Sequence, residues 1–177
     1  MEKRMILVLI MLLLGWSISL VVGEETVLTG KLNISSPVFM NKGTIPVKYT
    51  CNGANINPPL YIENVPVAAK SLALIVDDPD APHGTWVHWV LWNIDPKTSA
   101  IKENSAPHGA KQGVNDFQNK TYDGPCPPSG THRYFFELYA LDDVLELGRD
   151  TKESDVSKAM KGHILGEGRL IGIYRGK

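Results

Sequence analysis

The run Leu72-Ala73-Leu74-Ile75-Val76 constrains this chain most, because it is apolar on both phases of an extended strand. Alternate residues of a strand point to opposite faces, so a run apolar on both phases needs cover on both sides. A second apolar run, Thr85 to Ile94, follows at once and is interrupted by His88. Between the two lies Asp77-Asp78-Pro79-Asp80-Ala81-Pro82-His83-Gly84, a stiff acidic turn. Two central strands joined by such a turn predict a layered, mainly β domain.

The rest of the chain fits that frame. Leu28 to Ser35, Thr44 to Tyr49, Leu60 to Glu63, a short piece near Ile101, His132 to Leu141 and Ile164 to Tyr174 read as further strands. Parity on the Thr85 to Ile94 strand groups His88, Val90, Trp92 and Ile94 on one face, with Val87, Trp89, Leu91 and Asn93 on the other. On the later strand His132, Tyr134, Phe136, Leu138 and Ala140 share a face. Thr151 or Ser154 is placed to cap a short helix that runs to about Lys161 and stops at Gly162. Lys97 to Pro128 is rich in Gly, Asn and Pro, and a connection of that length in a compact domain points to function or disorder. Phe117, Tyr122 and the rigid Gly124-Pro125-Cys126-Pro127-Pro128 favour an ordered loop. The fold class expected is a β-sandwich with a few short peripheral helices.

Composition sets limits on function and location. Lys3 and Arg4 precede an apolar stretch from Met5 to Val22, and Val21-Val22-Gly23 places small residues before Glu24. That is the pattern of a secretory signal peptide over residues 1–23, with an uncleaved N-terminal anchor as the rival reading. Residues 24–177 then form a single domain in an exported protein. The formal net charge of −1 gives no electrostatic footprint for nucleic acid. Membrane contact is expected only through the N-terminal segment, if it is retained. Cys51 and Cys126 are the two cysteines. An exported address permits one disulfide between them, and two separately buried thiols are the alternative.

The residues that carry chemistry cluster near strand ends: Asp78, Asp80, His88 and His132, with Trp86 and Tyr134 beside them. A carboxylate that accepts from one histidine nitrogen fixes the tautomer, and the other nitrogen then serves a ligand. Such a set suits an anionic group, and Trp86 and Tyr134 would give the remainder of the ligand a flat rim. The competing reading is structural: aspartates before prolines bond their own backbone, and a histidine in an apolar strand fills the core. A metal-dependent hydrolase using Asp78, Asp80, His88 and His132 is a further alternative, although no His-x-x-x-His or Cys-x-x-Cys clamp is present. Nucleophilic catalysis is the weakest reading: Ser129 lies near His132 but outside any Gly-x-Ser-x-Gly motif, and Cys126, between prolines, has no assignable partner base.

Taken together, several motifs resemble the phosphatidylethanolamine-binding protein family, in particular its bacterial and archaeal Raf kinase inhibitor-like branch. They are Asp78-Pro79-Asp80-Ala81-Pro82, Trp86-Val87-His88-Trp89-Val90-Leu91-Trp92-Asn93-Ile94 and Gly130-Thr131-His132-Arg133-Tyr134. Tyr49-Thr50-Cys51-Asn52-Gly53, Gly113-Val114-Asn115-Asp116-Phe117 and Tyr122-Asp123-Gly124-Pro125-Cys126-Pro127-Pro128 support them, in the family's order. The resemblance implies a Greek-key β-sandwich and a small pocket for anions, including the phosphate of phospholipid head groups. Carried over by position, the ligand-binding residues would be Asp78, Asp80, Pro82, Trp86, His88, Gly124, His132 and Tyr134. It implies no catalytic residue, metal or cofactor. The expectation is a non-enzymatic binding protein for a small anion or phospholipid head group, with inhibition of an extracellular or periplasmic serine protease as the alternative role.

Overall fold

The structure is a computed structural model, described here for residues 31–176; the leader expected over residues 1–23 and the start of the first expected strand lie outside them. The strands are β1 (Asn33–Ser35), β2 (Gly43–Thr44), β3 (Leu60–Glu63), β4 (Ser71–Asp78), β5 (Trp86–Ile94), β6 (Ala100–Ile101), β7 (Lys111–Gln112), β8 (Thr131–Leu141) and β9 (Ile164–Arg175). A 3-10 turn, Val47–Tyr49, and one α-helix, α1 (Glu153–Met160), complete the regular structure of the described residues. Among the described residues no helix is long and apolar enough to cross a membrane.

Two sheets pack face to face. The small one has the order β1-β3-β6 and the large one β2-β9-β8-β4-β5-β7. Within the large sheet β8-β4-β5-β7 is antiparallel throughout. That places the fourth of these strands beside the first, which is the Greek-key order. The main core lies between the sheets and takes Leu72, Leu74 and Val76 from β4 and Tyr134, Phe136, Leu138 and Ala140 from β8. Ala73 and Ile75 face the other way, where Val156 and Met160 of α1 and Leu145 cover them. The doubly apolar run is therefore buried on both faces, one against a sheet and one against a helix.

Parity holds along β8 but fails along β5. Val90 and Trp92 join the outer cluster, whereas Trp89, Leu91 and Ile94 join the inner one. Two bulges explain this. Val76 pairs with Trp89 and Asp77 with Val87, which leaves His88 without a partner on β4. Leu72 pairs with Ile94 and Leu74 with Leu91, so β5 carries an extra residue there too. Asn93 takes a left-handed φ of 54° at the second bulge, and its amide exchanges two hydrogen bonds with the Leu145 backbone, each 2.9 Å. A bulge re-aims side chains by one step, so strict alternation groups the wrong residues.

Other differences have local causes. The stretch expected as a strand over 44–49 turns into the 3-10 helix after Pro46, which has no N–H for a ladder. Neither Thr151 nor Ser154 caps α1. Asp155 Oδ2 accepts from the Lys152 backbone N–H at 3.0 Å instead, while Thr151 donates to the Gly148 carbonyl. Gly162 does follow the helix with a φ of 89°, as a stop should. Only one α-helix appears among the described residues where a few were expected.

Cys51 and Cys126 are joined by a disulfide with Cα atoms 5.4 Å apart. It ties the strap 122–128 to the segment after the 3-10 turn. The two segments approach backbone to backbone, and a Cβ on Gly124 would lie 2.3 Å from the Tyr49 carbonyl oxygen. Only glycine fits there.

Candidate functional site

The acidic turn, the β5 bulge, the start of β8 and the strap enclose a cavity of about 290 Å³. Asp78, Pro82, Trp86, His88 and His132 line it, as do Ala81, His83, Phe117, Cys126, Pro127 and Pro128. The wall is mainly apolar, with a few polar atoms at its base, as small-molecule sites commonly are.

Asp78 is buried at the end of β4 and both its oxygens are used. Oδ2 accepts from His132 Nδ1 at 2.7 Å, and Oδ1 accepts from the Asp80 backbone N–H at 2.9 Å. The second bond is the turn closure expected of an aspartate two residues before the donor. The first orients a buried imidazole and leaves its Nε2 without a protein partner. Asp78 thus serves the turn and the site together.

His88 is 2% exposed and owes its direction to the bulge. Its Nδ1 lies 2.6 Å from the carbonyl oxygen of Asp123. A carbonyl only accepts, so Nδ1 carries the proton. Burial pushes its pKa down, opposed by the Asp123 carbonyl and by the charges of Asp78 and Asp123. The ring packs edge-on against Tyr134, with centroids 5.3 Å apart, and against Phe117 at 5.2 Å. Trp86 meets Phe117 edge to face at 5.6 Å, and the two rings, each 37% exposed, form the mouth.

Asn115 holds this side together. Its Nδ2 donates to the carbonyls of His88 and Thr121 and to Asp123 Oδ2, at 3.1, 3.0 and 2.7 Å. Its Oδ1 accepts from the backbone of Phe117 and Asn119. Asp116 adds a bond from Val87 N–H at 2.7 Å. One buried amide therefore fixes the bulge, the strap and the Phe117 ring at once.

Three residues expected at the ligand lie elsewhere. Asp80 sits behind the wall and clamps Arg133: Arg133 Nε and a terminal nitrogen donate to it at 2.8 and 2.6 Å, and the Arg133 backbone N–H at 2.9 Å. That hydrogen-bonded guanidinium holds the Asp80 pKa down at about 2. Gly124 spends its N–H on Asn55 Oδ1 at 2.7 Å, so it offers no free donor. Tyr134 lies beneath His88. Burial and the neighbouring Asp78 push its pKa well up, yet its hydroxyl makes no hydrogen bond of ordinary geometry.

Phe117 and Asn115 were not assigned to the site from sequence. Their signal was the Gly113 to Phe117 motif itself, whose small and polar residues mark a turn without saying what it supports. Asp78, Asp80, His88 and His132 do not converge into a metal-ligand set, and the described residues contain no group of three such side chains placed to hold an ion. A larger hollow of about 420 Å³ opens on the outer face, beside Glu137, Tyr139 and Arg169. Its charged groups are already engaged, with Arg169 on Glu137 at 2.5 Å and Tyr139 donating to Glu137 at 3.0 Å.

A Greek-key sandwich with a cavity lined by two buried histidines at one sheet end defines a small-ligand binding fold. The profile of the Phosphatidylethanolamine-binding protein family matches residues 35–175, and the chain belongs to that family. An archaeal relative from Methanothermobacter thermautotrophicus, named a UPF0098 protein, is 53% identical over 149 residues, covering 81% of this chain and 99% of its own. A UPF0098 protein from Pyrococcus horikoshii is 47% identical, covering 88% and 80%. Among solved structures, a phosphatidylethanolamine-binding protein homologue from Chlamydia trachomatis superposes with a TM-score of 0.80 at 39% identity, covering 83% of this chain and 99% of its own. YbcL from E. coli, described as a new member of the mammalian family, gives 0.78 at 26% identity, covering 84% and 100%.

Proposed function

We propose that this chain is an exported, non-enzymatic binding protein whose cavity receives a phosphate-type oxyanion, free or carried by a phospholipid head group. The observation that carries this reading is the buried Asp78–His132 bond at 2.7 Å, which aims an imidazole into a mainly apolar cavity. Nothing beside it resembles an activated nucleophile: Cys126 is in a disulfide. The aromatic mouth of Trp86 and Phe117 suits the apolar remainder of such a ligand. Export rests on the leader pattern of residues 1–23.

Calorimetric titration of the full chain with phosphate and with phosphoethanolamine tests the reading. Heat saturating at one site per chain is expected. His132→Ala should weaken binding by about 10- to 100-fold, the worth of a charge-assisted hydrogen bond. A folded protein that gives no heat with either ligand at millimolar concentration rejects it. Protease inhibition is the second reading, favoured by the exposed rim of Trp86, Phe117 and Pro128. Uninhibited rates across a panel of serine proteases would remove it.

A further inference from the structure

We propose that the cavity takes its oxyanion together with a proton: it selects the protonated monoanion, whose X–OH donates to His88 Nε2 while another oxygen accepts from Nε2–H of a His132 imidazolium paired with the Asp78 carboxylate. This deepens the oxyanion reading above, rests on it, and narrows it to free phosphate or a phosphate monoester, since the phosphodiester of a phospholipid carries no proton near neutral pH.

The two ring nitrogens of His88 are committed differently. Nδ1 must donate, because its partner at 2.6 Å is a backbone carbonyl. In a neutral imidazole the other nitrogen then carries a lone pair and no proton. Nε2 makes no hydrogen bond to the protein, and His88 lines the cavity, so Nε2 is the ring nitrogen left for a ligand. Burial favours this neutral form. The cavity therefore presents an acceptor where an anion site would be expected to present a donor.

The polar and charged groups around His88 pull against burial, but none of them is an unpaired cation that could balance an incoming anion. From β4 comes Asp78, from β8 come His132 and Tyr134, from the strap come Asp123 and the Gly124 backbone, and Phe117 closes the remaining side. His83 lies on the exposed rim of the acidic turn. No lysine or arginine is among the residues that line the cavity, and Arg133, next to His132 in sequence, is held on Asp80. Asp78 and His132 together are neutral when the imidazole is protonated and negative when it is not. The base of the cavity thus holds no fixed positive charge to balance a dianion, and the His88 lone pair would face an oxyanion lone pair. One proton on the ligand removes both conflicts. It lowers the anion's charge and supplies the donor that His88 needs.

A phosphate monoester has a second pKa of about 6, so near neutral pH it can bring or recruit that proton. Sulfate has the same shape and size but no proton to offer. A site built to pair a ligand hydroxyl rejects an analogue that lacks it, because a polar group is left unmatched.

The test is calorimetric titration of the full chain with inorganic phosphate and with sulfate. Measurements at pH 7 and pH 8 in buffers of different ionisation enthalpy count the protons. The expected result is phosphate binding at least about ten-fold tighter than sulfate at pH 7. Phosphate binding at pH 8, where the dianion predominates, should take up at least about one proton per site. His88→Gln carries its own N–H donors, and it should bring the phosphate-to-sulfate ratio toward one. Equal affinity for the two anions in the native protein, or phosphate binding without proton uptake at pH 8, overturns the inference and leaves the oxyanion reading standing. Binding of neither anion overturns both.

Discussion

Asp77 and Asp78 are neighbours on one strand and sit in opposite worlds. Asp78 points to the cavity side, where His132 and the Asp80 backbone take up both its oxygens. Asp77 points to the outer side, where Oδ1 is enclosed without a partner. There burial, with the charges of Glu137 and Glu153, raises its pKa to about 7. The strand's alternation alone separates them. The comparison shows that what marks a site is a carboxylate whose surroundings were arranged for it. A buried or perturbed carboxylate is not enough: by perturbation alone Asp77 would be the more conspicuous residue.

The largest test of the contrast is Asp78→Ala. It leaves the buried His132 Nδ1–H and the Asp80 N–H unpaired, and a loss of about 4 kcal/mol is expected in chemical denaturation. Anion binding should vanish with it. Next comes the strap. Replacing both Cys51 and Cys126 with serine removes a cross-link over a sequence separation of 75, with an expected loss of about 3 kcal/mol. The outer face should be unaffected, as hydrogen exchange along α1 would show.

Asp77→Asn should move stability the other way. The folded protein holds a proton on Asp77 that the unfolded chain has already released between about pH 4 and pH 7. Native stability is therefore eroded as pH rises through that window. The asparagine variant should be more stable than the parent by roughly 2 kcal/mol above pH 7, with the gain disappearing below about pH 4. A denaturation series across pH checks it, and a pH-independent difference would remove the explanation. The smallest effect is expected from Asp80→Asn. Its pair with Arg133 is at the surface, so about 0.5 kcal/mol should be lost, in full above pH 4 and fading as pH falls toward 2.

The central strands were legible because each of β4, β5 and β8 carries its own apolar signal over eight or more residues. The two-residue strands β2 and β7 were not: they exist through pairing with β9 and β5 and have no pattern of their own. The site divides in the same way. Asp78, Pro82, Trp86, His88 and His132 could be read as motifs at strand ends, and they do line one cavity. Two things that decide its chemistry are tertiary. The bulge that re-aims His88 appears only when β5 is registered against β4, and the tautomer of His88 follows from a carbonyl 35 residues away. Gly124 was expected in the pocket through the family resemblance. Its real constraint is the close passage of two backbones.

Long-range 15N NMR of the ring nitrogens reads directly which histidine atoms face the ligand. The chain has five histidines, His83, His88, His108, His132 and His163, each separately observable. At pH 7, His88 should appear as the neutral Nδ1–H tautomer with an unprotonated Nε2. Adding phosphate should shift the Nε2 signals of His88 and His132 and leave those of His108 and His163 in place. A His88 protonated at Nε2 without ligand, or phosphate shifts confined to histidines outside the cavity, would contradict the proposed site.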